Sequence, residues 1–146
     1  MKTVRQKKLV LDQAYLEEEF FENSLMLGLV CPLASYKFIW QLQTSLNFDF
    51  RRNHDFDVEV KECHFPIYYL QETDKMIEHF IFANRRQGNY LIPELKNIDY
   101  VWLLKGNNAL MPYRAQIVEK LQLISSIDSC FHIPIESLKS KHLLIM

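Results

Sequence analysis

Cys63, His64, Cys130 and His132 are the side chains best suited to hold a metal ion, because thiolate sulfur and imidazole nitrogen are the ligands zinc prefers. In a strand, Cys130 and His132 share a face, whereas adjacent Cys63 and His64 point to opposite faces, so at most one of these two could join them. Zinc sites use tighter paired spacing than this, and none of the cysteines, Cys31, Cys63 and Cys130, stands in a Cys-x-x-Cys pair. Buried, reduced thiols and ordinary histidines are the expectation, with no metal. The same atoms could make a Cys–His nucleophilic pair, yet no third residue that would orient the imidazole can be named. Two carboxylates, Glu94 and Asp99, could converge for acid–base work or to hold a cation. An enzymatic or small-molecule reading therefore needs a pocket near Glu94 and Asp99, with His79 lining it as well.

Other chemistries are removed by what is missing. Only Gly28, Gly88 and Gly106 exist among 146 residues, too far apart for a glycine-rich phosphate loop. No Gly-x-Ser-x-Gly string marks a nucleophile elbow. A net charge of −1 and a pI near 6.5 give no basic excess to neutralise a nucleic-acid backbone. In such a chain the doublets Arg51-Arg52 and Arg85-Arg86 read as solvated turns, and Glu17-Glu18-Glu19 as an exposed acidic ridge. No cofactor is expected: purified protein should carry neither stoichiometric zinc nor bound nucleotide.

The elements that would position these groups follow from hydrophobic period. With 49% apolar and 24% charged residues, residues 1–146 suit a single globular domain able to bury about 70% of its unfolded surface. Residues 7–11 are expected to form a first strand, and 24–31, a near-continuous apolar run, a buried second one. Gly28 inside that run predicts a bulge or a close backbone approach. After Pro32, the apolar residues Leu33, Tyr36, Ile39, Trp40, Leu42 and Leu46 recur every three or four positions, which predicts a helix with Ser35, Lys37, Gln41 and Ser45 outward. Residues 47–57 read as a solvated connection. Runs 64–71 and 76–84 flank four polar residues and predict a hairpin, with Pro66 confining the first run to an edge or a bulge. Residues 98–105 are the strongest strand in the sequence. Pro112 suits a first helical turn, after which Tyr113, Ile117, Leu121 and Ile124 form a second stripe. A last strand at 130–135 precedes a tail from Lys139. The order predicts an α+β fold: a two-layer sandwich of mainly antiparallel sheet with two helices on one face, burying Leu33, Tyr36, Trp40, Ile117, Leu121 and Ile124 between the layers.

The string Ile92-Pro93-Glu94-Leu95-Lys96-Asn97-Ile98-Asp99-Tyr100 resembles the signature of an uncharacterised bacterial family named for its IPExxxVDY motif. Ile98 stands where that motif has valine, which keeps a β-branched apolar residue. The order of elements and the closing Leu138-Lys-Ser-Lys141 are also similar. The resemblance implies a small cytosolic bacterial domain and brings no activity with it. Physically, Pro93 extends Ile92, and Glu94 would face the free amides of a one-turn helix, so that Pro93, Glu94, Asp99 and Tyr100 aim the chain into its strongest strand.

Faces decide the expected partner. Strand period two places Tyr100 and Trp102 on one side and Val101 and Leu103 on the other, both apolar. If the helices take Val101 and Leu103, then Tyr100 and Trp102 are left outside, beside Phe80 and Phe82 if neighbouring strands pair in register. A homodimer or other protein partner would cover that face, which predicts a non-enzymatic interaction module. The other covers are a small-molecule pocket, a platform for single-stranded bases, or the chain's own apolar end at Leu143. No RNP-type string supports the base platform. The longest apolar stretch, 25–34, is too short to span a bilayer, and the acidic run follows the basic start too closely for a signal peptide, so the expected location is cytoplasmic with no membrane contact.

Overall fold

The computed structural model describes residues 13–106 and 110–145, and the strand expected at 7–11 lies outside them. The apolar run Tyr100–Lys105 forms β9, which pairs antiparallel on both edges, with β1 (Ser24–Val30) and β6 (Ile77–Ala83). Around this centre the sheet has six strands in the order β10, β1, β9, β6, β5, β2. Here β10 is Ser129–Ile133, β5 is Ile67–Glu72 and β2 is Arg51–Arg52. The fold is α+β, with α2 (Ser35–Leu46) and α3 (Leu110–Leu121) packed on one face.

Between those helices and the sheet lie Leu27, Leu29, Ile81, Tyr100, Trp102 and Leu104, with Ile117, Leu121 and Ile124 buried as expected. Directly opposed residues of an antiparallel pair share a face. Phe80 is opposite Leu103 and Phe82 opposite Val101, so neither sits beside Tyr100 or Trp102. This corrects the expected grouping: the helices take Tyr100 and Trp102, while Phe80, Phe82, Val101 and Leu103 form the second face. That face is covered by the chain itself, through Leu91, Ile92 and Ile98, Phe65, Leu138 and Leu144, and Phe20 and Phe21 of α1 (residues 13–21). The acidic stretch is thus carried by a third helix that the polar sequence conceals.

The α2 stripe is a second correction. Tyr36 and Trp40 are 69% and 65% exposed, whereas Ile39 and Leu42 of the expected stripe face the sheet together with Phe38. Both sets satisfy helical spacing, because apolar residues surround more than half of this helix. The ring of Phe38 decides it, stacking on Tyr100 with centroids 4.4 Å apart. Ser35, expected outward, is half-buried. Leu33 is only partly buried and lies just outside the helix.

Pro66 splits the expected 64–71 strand. Before it, β4 (Cys63–Phe65) pairs with β3 (Val58–Val60) in a separate hairpin. After it, β5 pairs with β6 as expected, and the Pro66 carbonyl still accepts the Ala83 amide at 3.0 Å. A further hairpin joins β7 (Arg85–Arg86) to β8 (Asn89–Tyr90). Gly28 makes no bulge, since its register is continuous on both sides. It makes room for side chains: a Cβ there would lie 2.8 Å from Ile133 Cδ1 and 3.1 Å from the Phe131 ring.

Candidate functional site

The segment 91–100 is held by three carboxylate or amide side chains, each tied to a different part of the chain. Asn84, fully buried at the end of β6, donates through Nδ2 to the carbonyls of Leu95 (3.1 Å) and Ile98 (2.9 Å), and its Oδ1 accepts the Ile92 amide at 2.8 Å. Glu94 Oε2 accepts the amides of Lys139 (2.6 Å) and Ser140 (2.9 Å). It therefore clips the C-terminal segment while also meeting its own backbone amide. Burial opposes its charge, but the Ser140 hydroxyl and these amides outweigh that and hold its carboxyl below the ordinary range. Asp99 Oδ2 accepts the Cys31 amide at 2.9 Å, just beyond β1, and the Tyr100 hydroxyl donates to the Leu33 carbonyl at 2.5 Å. Glu94 and Asp99 do not converge on a common ligand position. The buried Asn84, outside the motif string, was the residue that sequence reasoning missed; an asparagine just after an apolar strand was its one visible signal.

His79 resembles half of a catalytic pair, yet the geometry disables it. It is 0% exposed on the helix-covered face, with Nε2 2.6 Å from Glu72 Oε1 and Nδ1 3.1 Å from Trp102 Nε1. An indole N–H only donates, so Nδ1 must accept and the proton sits on Nε2, donated to Glu72. Both nitrogens are engaged, and burial pushes the imidazole below its usual value toward the neutral form. Burial also works against the Glu72 carboxylate, but hydrogen bonds from Tyr113, His79 and Lys75 together hold it below the ordinary range. Phe48 and Phe50 pack edge-on against Trp102 at 5.7 and 5.3 Å and close the cluster from above. With no free nitrogen and no access, His79 is a core residue.

The groups that remain available meet in a cleft of about 670 Å³ at the end of the sheet where β1 and β6 finish and β5 and β9 begin. Arg52, Arg85 and Arg86 line it together with Tyr68, Tyr100, Asp99 and the opening residues of α2, Ser35 and Tyr36. Arg52 donates to Asp57 at 2.7 Å, and Arg86 Nη1 donates to the His64 carbonyl at 2.6 Å. Arg85 Nη1 lies 3.9 Å from Asp99 Oδ1. Burial raises the Tyr68 and Tyr100 phenols, with the Ser35 hydroxyl lying beside both, so each stays protonated. Cys31 is also here, its thiol pushed up by burial, which leaves no thiolate for nucleophilic attack. The arginine doublets are largely exposed, as expected, but they sit on short strands instead of turns: β2 and β7 bring Arg52, Arg85 and Arg86 from separate parts of the chain to one mouth, while Arg51 stays outside it.

Of the residues weighed for chemistry, Asp99 and Tyr100 line the cleft, while His79, Pro93, Glu94, Phe80, Phe82 and Trp102 do not. The candidate metal ligands stay apart. Cys63 and His64 sit in the β3–β4 hairpin, whereas Cys130 and His132 share a face of β10 at one edge of the main sheet and line a shallow groove against α3. Among the described residues no three histidine, cysteine or acidic side chains gather as a metal site. Burial lifts the Cys130 thiol to about 11. No described helix is long and apolar enough to cross a membrane. Neither the family models nor the curated proteins contain a match to this chain.

Proposed function

We propose that this protein is a non-catalytic binding module whose working site is the cleft at the start of α2. One observation carries the reading: the acid–base and nucleophilic groups in and around the cleft and the 91–100 segment are engaged in structural hydrogen bonds or held protonated, while guanidinium groups and exposed rings collect on one face. His79, Glu72, Glu94 and Asp99 are all engaged in structural hydrogen bonds, and Cys31 is held as a thiol. On the cleft side, Tyr36 at the rim and Trp40 one turn along α2 stand in solvent. A cleft of this volume falls in the range of small-molecule sites. The aromatic pair beside it is the surface that favours a protein partner, in place of the buried Tyr100 and Trp102.

A screen of isotope-labelled protein against small metabolites by amide chemical shifts tests this. Binding should move Ser35, Tyr36, Arg85 and Tyr100 together and leave the bound compound unchanged on prolonged incubation. Turnover of the compound, or responses confined to the groove between α3 and β10, would overturn it.

A further inference from the structure

Given that the cleft is the working site, the geometry points to its ligand class: a phosphoryl group, free or as a monoester, held by Arg52, Arg85 and Arg86 and by the amides that open α2. The charges around the mouth are incompletely matched. Arg52 is neutralised by Asp57, but Asp99 is 3.9 Å from Arg85 and its other oxygen is held by the Cys31 amide. Arg86 is fixed by a neutral carbonyl, and among the described residues no carboxylate pairs with it. That bond orients a guanidinium whose other N–H groups stay free for a planar, two-pronged contact with an oxyanion.

The helix adds donors that its own sequence leaves unmatched. A 12-residue helix begins at Ser35 with no side-chain cap from Ala34 and no acidic residue in its first turn, where Lys37 stands instead. The Ala34 carbonyl takes the amides of Lys37 and Phe38, and those of Ser35 and Tyr36 have no partner among the described residues. Negative charge placed there meets free N–H groups and the positive end of the helix dipole. The cleft thus presents guanidinium N–H groups from separate strands and two amides. A phosphoryl group has three terminal oxygens to receive them, whereas a carboxylate has two. With no thiolate and no free base in reach, the group is held and not transferred.

Titration of labelled protein with inorganic phosphate and with phenyl phosphate, at fixed ionic strength and with chloride as control, decides it. Saturable shifts are expected at the Ser35 and Tyr36 amides and the Arg86 side chain. Arg86→Gln should weaken binding about tenfold or more, the usual effect of losing a charged hydrogen bond. Asp99→Asn keeps an oxygen for the Cys31 amide while removing a negative charge from the cleft, so it should tighten binding severalfold. A preference for phenyl phosphate assigns an ester as the ligand, and equal binding assigns phosphate itself. Shifts no different from those with chloride, or unaffected by either variant, overturn the ligand class. If uncharged compounds still bind in the cleft, the working site itself stands.

Discussion

At the scale of single residues, the imidazole of His79 shows how a group with catalytic chemistry becomes structural. Protonating it would require a second N–H at Nδ1, where the Trp102 N–H already points, so the charged form loses that hydrogen bond and places two donors face to face. The folded state therefore resists a proton that the unfolded chain accepts near the ordinary value of 6.5. The linkage sign follows: with a folded value below the unfolded one, stability is full above 6.5 and falls as pH drops through the window beneath it. Glu72, also held low, adds a further loss below its ordinary value of 4.5. Denaturant midpoints measured across this range should fall in two stages. His79→Gln, which can still accept from Trp102 but does not titrate, should flatten the upper stage and leave the lower. An unchanged upper stage in the variant would assign that loss to the other histidines.

At the scale of elements, Asn84 does for the 91–98 segment what a strand partner does for a strand. Three backbone groups, Ile92 N–H and the carbonyls of Leu95 and Ile98, are satisfied by one buried amide. Asn84→Ala leaves them without partners in a covered site, which should cost about 2–4 kcal/mol at 1–3 kcal/mol for each unsatisfied group with partial relaxation. Amide exchange of Ile92 and its neighbours should accelerate more than that of β9; equal acceleration everywhere would mean that the segment has no independent anchor. Strands such as β9 and the β5–β6 hairpin were legible because local alternation and turn residues specify them. The roles of Glu94 and Asp99 were not, because their partners, Lys139, Ser140 and Cys31, are remote in sequence. The α2 face was misread for a related reason: two helical stripes compete, and only the position of Tyr100 selects Phe38. The cleft was hidden for the same cause, since Arg52 and Arg86 become neighbours only after β5 and β6 pair.

At the scale of the whole molecule, both sheet faces are closed by one chain, and this changes what self-association could offer. Tyr100 and Trp102 were the expected two-fold contact, but Trp102 is 0% exposed beneath α2, α3 and the Phe48–Phe50 segment. A charge there would be buried without a partner, so Trp102→Glu should abolish folding instead of splitting a dimer. The apolar surface that does face water includes Tyr36 and Trp40 on α2, at 69% and 65% exposure. Replacing both by serine should shift stability by no more than about 0.5 kcal/mol each, the usual range for surface positions. Removal of the original reason for a dimer leads to an expected solution mass of one chain, 17.5 kDa, at micromolar concentration. Light scattering on the wild type and on the Tyr36→Ser, Trp40→Ser double variant tests both points together. A wild-type mass of two chains that falls to one in the double variant would place the partner of this flank in a second copy. It would also sink the prediction of a single-chain particle.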